Sequence, residues 1–261
     1  MMELVRAGDT AYEVYEALLL DRDQARKEAG QAWTAYMSLF GHLITQLYEE
    51  KVECVKCKKA LSYCQQAINH GGRLDSEELQ SYLDAEMAEY YENLKNLLRE
   101  YDECSNAGLS TNYEVQRSKT IYRRLAKKLH PDINPEAAKN EALRELWQRV
   151  MTAYGHNDVK ELAELEVLVN KALTELGIGQ GRIEIPDIED RIAALRDEIG
   201  RIKSTEPYIL RELVDSREKT DAKLLALEEE LETYRKYRGE LEQALKQMLD
   251  SGRITIEWPT N

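Results

Sequence analysis

Between residues 40 and 68 the chain repeats one pattern without a break. Phe40, Leu43, Leu47, Glu50, Cys54, Cys57, Leu61, Cys64 and Ile68 follow one another at alternating gaps of three and four. On an α-helix that spacing places all of them on one stripe, and such a stripe is stable only when another helix covers it. Helix-on-helix packing is therefore the first constraint on the fold. The helical pattern begins near Asp9, and a kink, where one occurs, belongs at Gly30 or Gly41.

Gly71-Gly72 breaks the first pattern, and Asp75 with Glu78 three residues on reads as an N-cap and capping box for the next helix. That helix carries Leu79, Leu83, Met87, Tyr90, Leu94, Leu97, Tyr101 and Cys104 on one stripe. The short link makes the two helices antiparallel neighbours, with arms on the order of 45 Å at 1.5 Å per residue. The last third carries two more seams. One holds Ile188, Ile192, Leu195, Ile199 and Ile202. The other holds Leu224, Leu227, Leu231, Tyr234, Arg238, Leu241, Leu245 and Met248, with a polar interruption at Arg238. "STEPY" separates them, since Pro207 disfavours helix at Glu206. The two seams are expected to close on each other as a second antiparallel hairpin. A tail, "RITIEW", alternates like a strand and is too short to stand alone.

Composition agrees with long helices that bury narrow seams: 33% of residues are charged and there is a single Phe. The start, Met1 to Thr10, has no apolar run, so no leader is expected. No stretch is apolar enough for a membrane span. A net charge of −13 argues against nucleic acid or an anionic membrane as partner. Four cysteines without an export signal read as reduced thiols in a cytoplasmic protein.

Between the two hairpins lies "RRLAKKLHPDINPE". From Arg117 to Lys128 the chain holds Arg117, Lys119, Arg123, Arg124, Lys127 and Lys128 and no acidic residue. Ile121, Tyr122, Leu125, Ala126 and Leu129 recur at helical spacing, so one face packs and the rest is cationic. The helix dipole accounts for Lys127 and Lys128 near the C-terminus but not for the charges upstream. Pro131 removes a backbone donor and biases His130 away from helix, which ends the helix there with His130 expected exposed. Asp132 can bond loop amides. The tripeptide has no nucleophile at fixed spacing, so it is no catalytic triad. After the loop, Leu143, Trp147, Val150, Met151 and Tyr154 form a stripe expected to pack antiparallel against Ile121, Tyr122, Leu125 and Leu129. The result is a two-helix finger with a polar loop at its tip.

"IYRRLAKKLHPDINP" and "LWQRVMTAY" together resemble the J-domain family of Hsp70 co-chaperones. Tyr122, Arg123, Arg124, Leu125, Ala126, His130, Pro131 and Asp132 match the family pattern in order, as do Trp147, Val150, Ala153 and Tyr154 after the loop. The resemblance covers about a fifth of the 261 residues. It implies docking on an Hsp70 (DnaK-type) chaperone and stimulation of its ATP hydrolysis. His130, Pro131 and Asp132 would be the trigger, and Lys119, Tyr122, Arg123 and Arg124, with Lys127, the docking face. Clustered charge speeds encounter and sets register while a rigid loop supplies specificity. The chain departs from the family in several places, and it lacks the Gly-Phe linker and cysteine-rich zinc domain of classical members. Ile133 stands where a basic residue is usual, and the loop is longer. The family's first helix is not recognisable, and Leu97 to Tyr101 are the expected substitute.

"ECVKC" with Cys64 and Cys104 invites a zinc reading. Cys54, Cys57 and Cys64 fall on the hairpin seam, and Cys104 belongs beside residue 40, on the order of 20 Å away at helical rise. Buried structural thiols are the expectation, with no metal and no cofactor. The expected fold is all-α and elongated: an N-terminal helical hairpin over 1–108, a J-domain-like module over 109–176, and a C-terminal coiled-coil hairpin with its tail over 177–261. The expected activity is that of a co-chaperone rather than an enzyme, with an unidentified protein client or partner on the coiled coils. The same seams can also pair between copies, so a homo-oligomer fits the pattern. The alternative is a coiled-coil scaffold whose J-like module is vestigial and does not stimulate.

Overall fold

The computed structural model describes residues 4–5, 10–70, 75–106, 110–178, 183–184 and 187–251. Gly71-Gly72 and the RITIEW tail lie outside them. Among the described residues the fold is all-α. The long helices are α1 (Thr10–Asn69), α2 (Ser76–Asn106), α3 (Asn112–Leu129), α5 (Glu141–Gly155), α6 (Val159–Leu176), α7 (Ile188–Ser204) and α9 (Arg217–Ser251), and the short ones are α4 (Pro135–Lys139) and α8 (Leu210–Val214). Two dipeptides, β1 (Leu4–Val5) and β2 (Ile183–Glu184), pair antiparallel, with Leu4 opposite Glu184. No described helix is long and apolar enough to cross a membrane.

The chain divides into two units, each built from discontinuous segments. One joins Met1–Ala32 to Gly108–Ile209, and the other joins Trp33–Ala107 to Leu210–Asn261. The expected division at residues 108 and 176 ran along the sequence. The observed grouping differs because α1 supplies apolar surface to both units.

In the second unit α2 runs antiparallel to the later part of α1. Trp33 Nε1 donates to Glu100 (2.7 Å), and Lys59 pairs with Glu86 (2.6 Å). Asp75 caps α2 by accepting from the Glu77 amide. Of the expected α2 stripe, Leu79, Leu83, Met87 and Cys104 are buried. A Cβ at Gly41 would overlap the Tyr101 ring, so this glycine of α1 makes a seat for an aromatic of α2. The third helix of this unit is α9. Phe40 and Leu47 pack with Leu227 and Leu231, and Ala60 and Cys64 pack with Leu245 and Leu249. Rising residue numbers on both helices show that α9 runs parallel to α1. The polar interruption at Arg238 meets the one at Glu50: Arg238 Nε lies 3.2 Å from Glu50 Oε2, and Arg235 lies 3.6 Å from Oε1.

The two seams of the expected C-terminal hairpin fall in different units, each with its own cover. The α9 seam closes on α1 and α2. The α7 seam closes in the first unit, where Ile188, Ile192 and Leu195 pack with Tyr12, Tyr15 and Leu19 of α1. An apolar stripe demands a cover but does not name it, and α1 offered both seams a longer one.

The larger core of the first unit gathers Ile121, Tyr122, Leu125, Ala126 and Leu129 of α3, Leu143, Val150, Ala153 and Tyr154 of α5, and Leu20 of α1. It also takes Leu162, Leu165 and Val169 of α6, a helix the two-helix reading left without a role. The signals for α6 were in the sequence. Asp158 caps it by accepting from the Glu161 amide, and Gly177 ends it at φ +61°. The Ile178 amide bonds Leu173 O beyond that glycine, and its side chain joins the core, as in a Schellman ending.

Candidate functional site

The site is the end of α3 and the loop after it. α3 starts from a complete capping box: the Thr111 side chain accepts from the Glu114 amide, and Glu114 reaches back to the Thr111 amide. At the other end Pro131 stops the helix, and the Ile133 and Asn134 amides fold back onto His130 O at 2.9 and 2.7 Å. The Asn134 side chain accepts from Ala137 N to start α4, and Nδ2 donates to Lys128 O. Asn140 ends α4 and caps α5. The extra loop length is thus an ordered helical turn.

Pro131 and Asp132 are exposed. His130 is not: at 4% exposure it is part of the interior. This corrects the expectation for His130, and the reason is α1. Arg22 and Asp23 lie against the imidazole, with Asp23 Oδ2 3.7 Å and Arg22 Nη2 3.4 Å from Nε2. Trp147 meets the ring edge-on at 5.3 Å. On the other side of the ring, Nδ1 accepts the Asp132 amide at 3.1 Å. Burial pushes the imidazole below its ordinary pKa, against the pull of Asp23 and Asp132.

Tyr122 is also withdrawn from the predicted docking face, at 1% exposure. Its hydroxyl donates to Asp23 Oδ2 at 2.6 Å, and its ring stacks on Tyr154 at 3.9 Å. Burial first, then the Asp23 charge, pushes the phenol strongly up. Tyr122 therefore ties α3 to α1 and cannot meet a partner from this position. Lys27 of α1 adds a second tie. It lies over the Tyr154 ring at 3.6 Å and donates to Asn157 Oδ1 at 2.6 Å, and burial with the nearby Lys119 brings its amine down to about 8.

The helix that packs on α3 and α5 here is the early part of α1, through Leu20, Arg22, Asp23, Gln24 and Lys27. Leu97 to Tyr101, the expected substitute, belong to the second unit. The signal for α1 was weak, because Arg22 and Asp23 read as ordinary solvated charges.

The six cations of α3 do not form one face. Arg124 makes a two-pronged pair with Glu166 (2.6 and 2.8 Å), and Lys128 donates to Asn170, both on α6. On the opposite flank Lys127 pairs with Glu16 of α1. Lys119 and Arg123 have no ion-pair partner among the described residues, and Arg123 is exposed. Of the predicted docking face, Arg123 is the residue most available, Lys119 is half-buried, and Arg124 and Lys127 are already engaged at the surface. Such exposed pairs are weak, about 0–1 kcal/mol, and exchange readily for others.

Ile133 is 1% exposed and packs with Tyr12, Tyr15, Leu19, Ile188, Ile192 and Leu195. Ile133 is thus an apolar anchor that fastens the loop to α1 and α7.

All four cysteines are buried free thiols, and burial raises each of them. Ser38 Oγ donates to Cys104 O, which puts Cys104 close to the level expected. Among the described residues no group of three His, Cys, Asp or Glu is placed to hold a metal ion.

Compared with known protein families, with curated proteins and with solved structures, the chain has no match.

Proposed function

We propose that this chain is a cytoplasmic co-chaperone of the J-domain type. It docks on an Hsp70 (DnaK-type) chaperone through α3 and the His130–Asp132 loop and stimulates its ATP hydrolysis. The second unit holds a protein client or partner. The observation that carries the proposal is the loop itself. An exposed carboxylate, Asp132, follows a rigid Pro131 at the end of a cationic helix, and its amide is fixed by the His130 ring. A loop ordered before it binds loses little entropy on docking. An acidic partner surface would meet Arg123 directly and could draw Arg124 and Lys127 out of their surface pairs.

A second reading is a scaffold with a module that does not stimulate. The burial of Tyr122 and His130 favours it, since two of the predicted contact residues are occupied inside the chain. Steady-state ATP hydrolysis by purified Hsp70 separates the two. The co-chaperone accelerates hydrolysis, Asp132→Asn abolishes the effect, and Arg123→Glu raises the concentration needed and makes its salt dependence shallower. No acceleration at micromolar protein selects the scaffold.

A further inference from the structure

Arg22 and Asp23 lie about a hundred residues before the loop, and no motif marks them. Asp23 is one of the few buried charged residues, at 6% exposure. Its Oδ1 accepts from Arg22 Nη2 at 3.0 Å, and its Oδ2 accepts from Tyr122 Oη at 2.6 Å and faces His130 Nε2 at 3.7 Å. A buried carboxylate is expensive without such partners, so each one constrains the others.

The imidazole completes the logic. A neutral ring carries one N–H, and the other nitrogen is an acceptor. The Asp132 amide can only donate, and it points at Nδ1, so Nδ1 carries the lone pair. The proton then sits on Nε2, facing the Asp23 carboxylate. Arg22 Nη2 is also a pure donor and approaches Nε2 at 3.4 Å, a contact that favours the opposite tautomer. The shorter Asp132 amide bond and the Asp23 carboxylate facing Nε2 outweigh it. The same Arg22 nitrogen donates to Asp23 Oδ1 at 3.0 Å, offsetting its charge. A carboxylate behind an imidazole selects which nitrogen is protonated.

We infer that Asp23, supported by Arg22, is a positioning residue of the loop. It holds His130 in the Nε2–H tautomer, so that Nδ1 captures the Asp132 amide and the exposed Asp132 carboxylate is presented in one orientation. Asp23 touches no partner itself. The consequence for stimulation rests on the co-chaperone reading, whereas the tautomer does not.

Two measurements on the full-length chain test it. Nitrogen-15 NMR of histidine-labelled protein, with His130 assigned by its absence in His130→Gln, reads the tautomer without any partner. The expected result is protonation at Nε2 in the wild type and a shift of the proton towards Nδ1 in Asp23→Asn. A wild-type ring protonated at Nδ1 overturns the inference, whether or not the variant folds. In ATPase titrations with Hsp70, folded Asp23→Asn should lower maximal stimulation on the order of ten- to a hundredfold at an unchanged half-saturating concentration. Equal maximal stimulation by variant and wild type overturns it. A wild type that gives no stimulation sinks the co-chaperone reading alone, and the NMR result still decides the role of Asp23.

Discussion

Ile133→Ala tests whether the loop is held by apolar anchoring. Ile133 is 1% exposed and packs among residues of α1 and α7. The change removes three carbons. At about 0.8 kcal/mol per buried CH₂ the transfer loss alone is about 2.4 kcal/mol. The neighbours are helix-borne side chains that collapse only partly into the space, which raises the cost towards about 4 kcal/mol. The loss falls first on the loop, because Ile133 is its attachment to α7. Native-state hydrogen exchange reads this locally at the Ile133 and Asn134 amides, which bond His130 O. Both should exchange faster, by a factor on the order of a hundred or more at 1.4 kcal/mol per tenfold. A change below about threefold at both amides would show that the loop holds its shape without the anchor, and the account of Ile133 would be wrong.

Three further outcomes follow from the packing and the charges. Gly41→Ala drives a methyl group into the Tyr101 ring and should destabilise the second unit by about 1–3 kcal/mol in urea unfolding; a gain in stability from better helix propensity would mean the ring moves away freely. Arg238→Ala leaves Glu50, half-buried and with no hydrogen bond to its enclosed Oε2, with Arg235 alone, and should cost about 1–3 kcal/mol. Replacing both members, as Glu50→Leu with Arg238→Leu, should be close to neutral; equal losses in the single and double variants would contradict the pairing. Finally, burial holds His130 below its ordinary pKa. The unfolded chain then takes up the proton first as pH falls below about 6.5, so it binds more protons than the folded chain there. Stability should decline from about pH 6.5 down through the folded value, where the loss is complete, and His130→Gln should remove that part of the decline. Identical wild-type and variant profiles between about pH 7.5 and 5.5 would contradict the burial of the ring.

The parts of the fold legible in the sequence were those set by local rules. Periodicity and Pro131 marked α3 and its end, the heptads marked α1, and Asp75 marked the start of α2. Pairing was less legible. The Ile188 and Leu224 seams read as partners because they were adjacent, yet each found its cover on α1, since stripes of similar width do not encode which stripe they meet. Within the site, Pro131 ends α3 as expected, whereas the Asp132 carboxylate accepts no amide among the described residues and it is the Asp132 amide that bonds, to His130 Nδ1. His130 and Tyr122 depart from expectation, because their burial depends on Arg22 and Asp23, a pair that no local pattern ties to position 130. Ile133 carried a hint that was left unused. An isoleucine in a loop of Pro, Asp and Asn is a reason to look for a pocket, and the pocket is built by two helices from opposite ends of the first unit.

In the co-chaperone reading, this loop and the Arg123 side of α3 are the face a partner meets. Hydrogen exchange of the full-length chain, with and without ATP-bound Hsp70, tests it most directly. New protection is expected over residues 119–134, lost in Asp132→Asn. Protection confined to α2 or α9, or none at all at saturating Hsp70, would contradict it.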